Sequence, residues 1–411
     1  MNQPLSKSAA PAPLGAVLWL TFAASLGTGV FWNGIPFIAK ESYGFTQSRI
    51  LVLYVVVGLS YVIGAFLAGT LLRRVERWLA PRSVLVIILF LEAAICFLPR
   101  LFEGIWVLWF VTCGSNLLSA WIWPLVESYL TAARHGTSMR SAIGWFNLVW
   151  TVAVAIALMS MGFFLETDPT KQTDPTLVIL MLSGLYLLAA IPLLWLPARP
   201  QEHEGDLVEG SVPSSYPDLL QAARVLLPLS YILCAALTPL LPFVMDRLSV
   251  SLAWGPLAAA TWMVARTLVM GVMWRIGFWH NRWGTLLLGF FALAGGFALV
   301  VAGPYLSVVL LGLTIFGAGM GLIYYAALYY AMAVGRAAVD AGGTHEGLIG
   351  VGYMLGPLVG LAGIWAGEHA TAWRVSLSAE SWMIALGWLF IGLGALGAIA
   401  PYRRSKTKKA Q

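Results

Sequence analysis

Long apolar runs alternate with short polar segments along the whole chain, and this pattern predicts its elements. A hydrophobic stretch of about 20 residues crosses a bilayer as a helix, because lipid offers no partner to backbone N–H and C=O groups. We place six such spans at 14–39, 50–72, 83–98, 104–131, 141–165 and 176–196. Six more follow at 225–245, 251–274, 284–302, 305–334, 347–366 and 382–400. The pattern predicts an all-α integral membrane protein with about twelve transmembrane helices.

The composition points the same way. Of the 411 residues, 60% are hydrophobic and 10% are charged, and the mean hydropathy is +0.83. A soluble domain holds roughly 45–50% apolar residues. A chain with this excess of apolar surface cannot hide it from water, so a soluble fold is excluded.

Residue types that hold metals or nucleotides are scattered. Cys96, Cys113 and Cys234 lie inside separate predicted spans, and the five histidines, at 135, 203, 280, 345 and 369, do not cluster. No disulfide framework or metal site follows. The sequence also lacks the Gly-x4-Gly-Lys-Ser/Thr stretch that binds ATP phosphates. We expect no cofactor and no directly bound ATP.

Basic residues divide unevenly between the two sides that twelve spans create. One side would hold Lys7, Arg73, Arg74, Arg77, Arg82, Arg134, Arg140, Arg199, Arg224, Arg275, Arg282, Arg336, Arg403, Arg404, Lys406, Lys408 and Lys409. The other would hold Lys40, Arg49, Arg100, Lys171, Arg247 and Arg374. Loops rich in Lys and Arg stay in the cytoplasm. We therefore expect both termini there, in a multi-pass protein of the cell membrane, the inner membrane if the source is bacterial.

The basic tail at 403–409 is expected beside the inner leaflet, where anionic lipid attracts it. We expect lipid rather than nucleic acid as its partner.

One long hydrophilic segment, at 197–218, interrupts the apolar pattern and is rich in Pro, Gly, Ser and acidic residues. It predicts a first half at 1–197, a cytoplasmic linker at 198–223 and a second half at 224–411. Gly69 and Arg73 near the end of the second span lie 202 positions before Gly271 and Arg275 near the end of the eighth. This weak repeat fits two related six-helix halves.

The loop after the second span carries a glycine and several bases, namely Gly69, Arg73, Arg74 and Arg77. With the twelve-span pattern, this stretch resembles the major facilitator superfamily. Arg73 stands where that family usually has Asp, and Glu76 where it has Gly, so the resemblance does not imply the family's gating salt bridge. It does imply a gating loop, which Arg140 would join.

A second motif of the resemblance lies on the eleventh span, with the glycine spacing of the family's antiporters. Its members here are Gly343, Gly352, Gly356, Pro357 and Gly360, with Leu361 in place of a last glycine. In the family this motif lies on the fifth span, so it does not identify an antiporter. The glycines and the proline predict either a hinge or static close packing.

Trp123 to Tyr129 at the end of the fourth span, followed by Arg140, resemble family members in which an acid meets bases of the next loop. Glu127 is therefore expected to form a structural or gating salt bridge with Arg134 or Arg140, and proton coupling is the alternative. Asn116, Trp123 and Glu127 share one helix face.

Charged residues inside predicted spans are the other candidates, because a charge in lipid is costly. Arg266 is the only Lys or Arg we place inside a span. It serves either as a counter-charge for an anionic substrate or a proton-linked acid, or as one partner of a structural ion pair or a snorkelling arginine. Glu92 is interpreted as a proton carrier, a neutral buried acid or a residue that reaches the headgroups. His345 and Glu346 are expected to be solvated residues where the eleventh span starts, and a proton relay is the alternative.

Aromatic and amide side chains are the expected lining of a central cavity. The candidates are Trp32, Asn33, Asn116, Trp123, Tyr325 and Tyr329.

The function that the resemblance implies is secondary transport. Two halves would rock about a site that binds a small organic solute, in a monomer driven by an ion gradient, with protons expected. A channel, a membrane enzyme and a fold that has become a sensor or scaffold are the alternatives.

Overall fold

The computed structural model describes residues 11–75, 77–134, 136–165, 176–200, 213–334, 339–370, 372 and 376–410. Within these residues the chain forms helices and no strand, and twelve helices are long and apolar enough to cross a membrane. They are α1 Leu14–Tyr43, α2 Gln47–Val75, α3 Pro81–Arg100, α4 Ile105–Thr131, α5 Gly136–Leu165, α6 Leu177–Trp195, α7 Tyr216–Arg247, α8 Gly255–Arg275, α9 Trp283–Ala302, α10 Leu306–Val334, α11 Val339–His369 and α12 Ala379–Ala410. The twelve-helix prediction is confirmed.

Three of these helices, α1, α7 and α8, are interrupted within their length, and α3 and α6 end in 3₁₀ turns. α1 passes through one π-helical turn at Val30–Gly34 and continues at Ile35–Tyr43. α7 passes through a 3₁₀ turn at Thr238–Leu240, and α8 is interrupted at Ala260, between Gly255–Ala259 and Thr261–Arg275. A π-helical turn breaks the normal backbone pairing and often marks a functional region. In α1 it contains Trp32 and Asn33.

The two halves, α1–α6 and α7–α12, repeat the same pairings of helices. α1 packs on α5, α2 on α4 and α3 on α6, and in the second half α7 packs on α11, α8 on α10 and α9 on α12. The residue pairs at these contacts are Gly29–Ala157 and Gly356–Ile232, Gly64–Trp121 and Gly317–Trp262, and Ala93–Ser183 and Ala294–Trp388. Each helix therefore has its counterpart six helices further along, as duplicated halves require.

The surface agrees with a membrane environment. Large apolar side chains are exposed along the helices, including Phe66, Phe163, Leu268 and Leu396. Aromatic residues stand exposed near helix ends, among them Trp78, Trp106, Trp195, Trp254 and Tyr305. Amphipathic rings at these positions are typical of the interface between lipid and water.

The start of α7 corrects the predicted linker. The helix begins at Tyr216, inside the segment 198–223, whereas hydropathy placed the span at 225. Pro217 suits the first helical turn, and the Asp218 carboxylate lies 3.9 Å from Arg404 of α12. The first two turns of α7 carry Asp218 and Gln221, which contact Arg404 of α12, and these polar residues kept an apolar window from including the turns. Residues 201–212 lie outside the described part of the chain.

The helices alternate in direction, so Leu14 and Ser405 lie at one end of the bundle, which we call the terminal end. In the gating loop, Arg74 ends up on the last turn of α2 and Arg77 just beyond it, and both are exposed. The side chains of Gly69 and Arg73, and the whole of Glu76, lie outside the description.

Candidate functional site

A cavity of about 50 Å³ lies between the two halves, and residues near the middle of their helices line it. The first half contributes Ser25, Thr28, Trp32, Tyr61, Trp123, Phe146 and Trp150, and the second half Tyr231, Tyr324, Glu346, Ile349 and Tyr353. Pockets for drug-sized ligands measure roughly 300–1,000 Å³. The rings would therefore have to part before a solute of that size could bind.

An aromatic stack closes one wall of the cavity. The rings of Trp32 on α1 and Tyr353 on α11 are 3.5 Å apart at their centroids and 12° from parallel. Tyr61 and Tyr231 meet Tyr353 edge-on, at 5.7 and 5.0 Å. The stack joins one half of the molecule to the other. Its rings offer a flat apolar surface to the cavity.

The acidic group of the cavity is Glu346. Its side chain is buried, and the Tyr61 hydroxyl of α2 donates a hydrogen bond to Glu346 Oε2 on α11. This bond also joins the two halves. The expectation that His345 and Glu346 are solvated is therefore wrong: both are no more than 5% exposed. α11 begins at Val339 rather than 347, and its first turns extend the helix beyond the apolar run.

A buried cation lies behind the cavity wall, next to the aromatic stack. Arg266 of α8 is 1% exposed, and its guanidinium carbon lies 4.5 Å from the ring centre of Trp150 and 4.7 Å from that of Tyr324. Arg266 Nη2 donates to Tyr231 Oη at 3.0 Å. The three residues that enclose it all line the cavity. Ring faces attract a cation, so this cage stabilises the buried guanidinium charge.

Glu127 lies close to Glu346 rather than to the bases expected for it. It is 3% exposed and interacts electrostatically with Glu346. Within the described residues its two carboxyl oxygens have no hydrogen-bond partner and it forms no ion pair. The predicted salt bridge is therefore not formed in this structure. Arg134 instead donates to the carbonyls of Tyr129 and Leu130, which end α4.

Glu92 lies apart from the cavity, in the interior of the first half. Its side chain is fully buried on α3, and within the described residues its carboxyl oxygens are unpartnered. Tyr186 of α6 and Cys96 are its electrostatic neighbours. The interpretation that Glu92 reaches the headgroups is wrong, because the side chain points between helices.

Of the other residues predicted to line a cavity, some do so and some do not. Trp32 and Trp123 line the cavity, whereas Asn116 donates to the Thr112 carbonyl at 2.8 Å and does not. Asn33 is buried beside Trp32 and is absent from the lining. Two turns of α4 separate Asn116 from Trp123, so sharing a helix face did not bring both to one cavity.

Tyr325 and Tyr329 also lie elsewhere, in a second aromatic cluster near the terminal end. Their partners there are Trp279, His280, Tyr216 and Tyr330. The face of α10 that lines the cavity is one residue away from the predicted face, because Tyr324 rather than Tyr325 lies in the lining. Burial, and then the nearby Arg140 charge, lower the pKa of His280. His280 is therefore neutral at pH 7 and stacks on Tyr329 as an uncharged ring, 4.7 Å between centroids.

The glycines of α11 face two neighbours. Gly352 and Gly356 press against α7 of the same half, and a Cβ on Gly356 would stand 2.5 Å from the Ile232 carbonyl. A Cβ on Gly360 would stand 2.9 Å from the Leu51 side chain of α2, in the other half. The hinge stays a prediction. These contacts give Gly352 and Gly356 a packing role inside one half.

The cavity residues that sequence reasoning missed are divided equally between the two halves. Glu346, Ile349 and Tyr353 recur at i, i+3 and i+7, which is the spacing of one helix face. That spacing could have identified them. Tyr61, Tyr231 and Trp150 carry no such signal, because each is one aromatic residue among many in an apolar helix.

The sequence is similar to one known protein family. The family model described as Major Facilitator Superfamily matches residues 17–361. A search of curated proteins finds no match.

Solved structures share the fold at low sequence identity. A bacterial homologue of the human lysosomal transporter Spinster, inward-facing and unoccupied, has a TM-score of 0.67 at 12% identity, covering 95% of this chain and 96% of its own. The nucleoside transporter NupG has a TM-score of 0.62 at 14% identity, covering 95% and 98%. The human organic anion transporter TETRAN has a TM-score of 0.62 at 14% identity, covering 94% and 98%. At these identities the likeness shows the fold alone.

Proposed function

Since the chain belongs to the major facilitator superfamily, a family of membrane transporters, we propose that it is a secondary transporter that moves a small organic solute by alternating access. The observation that carries this proposal is the cavity between the halves, to which both halves contribute lining residues. A solute held there contacts α1, α2, α4 and α5 on one side and α7, α10 and α11 on the other. Tilting one half against the other would then expose the same site to either side of the membrane.

Contacts at the end opposite the terminal end support this motion. Lys40 of α1 lies 3.6 Å from Asp246 of α7, and a Cβ on Gly255 of α8 would stand 3.5 Å from Phe37. These contacts join the two halves where they would have to separate for the cavity to open at that end. The ion pair is partly exposed, so it contributes roughly 0–1 kcal/mol and can be broken easily.

The coupling ion in this proposal is the proton, carried by Glu346. Its carboxyl group lies on the cavity wall, in contact with a tyrosine of the opposite half. A proton bound there changes the charge of the site that the solute occupies. Glu127, the second buried carboxyl nearby, would influence that proton, because two negative charges close together in a low dielectric are costly.

Alternating access can be tested before the solute is known. Spin labels at Lys40 and Asp246 report the far end, and labels at Ala133 and Val334 report the terminal end, in a protein whose three cysteines are replaced by alanine. We expect lowering the pH to change the populations of the two conformers. The distance between the labels at one end should then lengthen as the distance at the other end shortens. Single, pH-independent distances at both ends would contradict the proposal. A metabolite and drug-susceptibility comparison of deletion and overexpression cells then addresses the solute and its direction.

The orientation is a separate proposal, based on the uneven charge of the loops. We propose that the terminal end faces the cytoplasm, because it carries most of the Lys and Arg residues. Reporter fusions after Gln411 and after residue 204 should then give cytoplasmic signal, and a fusion after Thr173 should give signal outside. The reverse pattern would overturn the orientation.

A further inference from the structure

The Arg266 guanidinium is a buried positive charge that lacks a buried negative partner in the described part of the chain. It makes one hydrogen bond, to Tyr231, and its Nε is buried without a partner. No carboxylate of the described residues lies within ion-pair distance of it. A buried charge is normally paired, since an unpaired one is costly. The cage stabilises Arg266 in part and leaves its donor capacity unfilled.

This unfilled donor lies directly behind the cavity wall. Trp150, Tyr231 and Tyr324 both enclose the guanidinium and line the cavity wall. An anion in the cavity would therefore reach Arg266 once one of these rings turned aside. A guanidinium matches the planar oxygens of a carboxylate better than an ammonium does.

The rest of the wall suits an apolar body attached to that anion. Trp32 and Tyr353 present stacked ring faces, and Phe146 and Ile349 add apolar surface. Parallel rings at 3.5 Å are already in contact, so a flat group would stack on one of them once the pair separates. A small inorganic anion would make no contact with this apolar surface.

The charges of the site fix how such an anion could be moved. The titratable groups that face Glu346 are Tyr61, Glu127, Tyr231, Tyr324 and Tyr353. Arg266 interacts electrostatically with three of them, Tyr231, Tyr324 and Tyr353. With Glu127 protonated throughout, Glu346 ionised and no solute bound, the charge of Glu346 offsets that of Arg266. With a monoanion on Arg266 and a proton on the Glu346 carboxylate, the site is again neutral. Either ligand alone leaves a net charge, which a closed site in lipid disfavours.

We propose that the cavity binds a small organic monoanion with a flat apolar body, its carboxylate on Arg266, and moves it together with one proton on Glu346. This rests on the proposed transport function and adds its substrate class. The combined step carries no net charge, so transport is expected to respond to a pH gradient and to ignore the membrane potential.

Binding to the purified full-length protein tests the substrate class without any transport assay. The probes are benzoate, indole-3-acetate and hexanoate, each compared with its neutral amide and with an amine of the same skeleton. Tryptophan fluorescence and thermal shift report binding. We expect at least one carboxylate to bind about tenfold or more tightly than its amide and its amine, which is the usual effect of one charge-assisted hydrogen bond.

Variants assign that preference to Arg266. Arg266→Gln should lower carboxylate affinity about tenfold or more, and Arg266→Lys should retain part of it. The matched control is Arg275→Gln, an exposed arginine on the same helix that stacks on Trp274 outside the cavity, and it should bind like the parent. Melting temperatures identify any variant that fails to fold. If Arg266→Gln does not fold, the affinity of Arg266→Lys still tests the proposal.

The outcomes separate the two proposals. Binding of amides or amines as tight as that of carboxylates, or no binding of any carboxylate, would overturn the anion site and leave the transporter proposal standing. A preference for carboxylates that Arg266→Gln does not change would also overturn it. Carboxylate binding that depends on Arg266, in a protein whose liposomes move no carboxylate, would instead contradict the transport function.

Discussion

Replacing Glu346 by Gln is expected to abolish proton-driven accumulation while exchange of solute across the membrane continues. Gln keeps the size and the hydrogen bond from Tyr61, so the cavity should stay intact. It cannot gain or lose a proton, so the site behaves as though permanently protonated. The loaded carrier would still reorient, whereas the empty one would keep the uncompensated charge of Arg266 and reorient slowly.

Proteoliposomes measure the two activities separately, with the solute found in the comparison of deletion and overexpression cells. One proton moved per solute allows about tenfold accumulation for each unit of pH difference, because one pH unit is worth about 1.4 kcal/mol. We expect the parent to approach this ratio and Glu346→Gln to accumulate nothing, while counterflow from solute-loaded liposomes stays within a few-fold of the parent.

The control for this experiment is Glu92→Gln, which changes a fully buried carboxyl that does not line the cavity. It should accumulate solute like the parent once its folding has been verified. If Glu92→Gln loses accumulation and Glu346→Gln keeps it, the proton travels through the interior of the first half. Parental accumulation by Glu346→Gln would in any case remove that residue from the coupling step.

Gly58→Leu is expected to reduce transport by at least tenfold with little loss of thermal stability. Gly58 lies where α2 crosses α11 of the other half, and a Cβ there would stand 2.6 Å from the Tyr353 carbonyl. A leucine would push the halves apart at the place where they meet beside the cavity. The packing inside each half would remain, so each six-helix unit should keep its stability.

Gly356→Leu provides the comparison, because it introduces the same side chain on the other helix of this crossing but inside one half. A Cβ at Gly356 would stand 2.5 Å from the Ile232 carbonyl of α7. Overpacking costs about 1–3 kcal/mol, so we expect its melting temperature to fall by several degrees or more. Transport per folded molecule should change less than in Gly58→Leu. Melting temperatures and uptake rates of both purified variants distinguish packing from a hinge at Gly356. A selective loss of turnover in Gly356→Leu would support the hinge.

The number and type of the helices could be predicted because lipid imposes a minimum apolar length that the sequence displays directly. Helix starts were less accessible. The first turns of α7 and α11 carry polar residues such as Asp218, His345 and Glu346, which are buried by neighbouring helices rather than exposed. An apolar window treats such turns as loop, and Glu346 was therefore interpreted as solvated.

The orientation of each helix could not be read from the sequence for a related reason. α10 is apolar on all sides, so its periodicity shows that Tyr325 and Tyr329 share a face without showing what that face meets. The structure turns this face towards Trp279 and gives the cavity Tyr324. Arg266 was easier to select, because a single charge within an apolar helix needs an interior position whatever the rotation of the helix.

The ring stack of Trp32 and Tyr353 joins residues of opposite halves, so it cannot persist when the halves tilt apart around the cavity. Aromatic pairs of this kind are worth about 0.5–1.5 kcal/mol beyond the area they bury. At room temperature that energy corresponds to roughly a two- to tenfold bias in the populations of two conformers. The bias is small enough for thermal motion to overcome, and the separation changes the surroundings of one indole ring. The protein therefore contains its own optical reporter: the emission of Trp32 should differ between conformers. A flat solute that slides between the rings would replace ring–ring contacts with ring–solute contacts, so occupancy and conformation would share one spectroscopic signal.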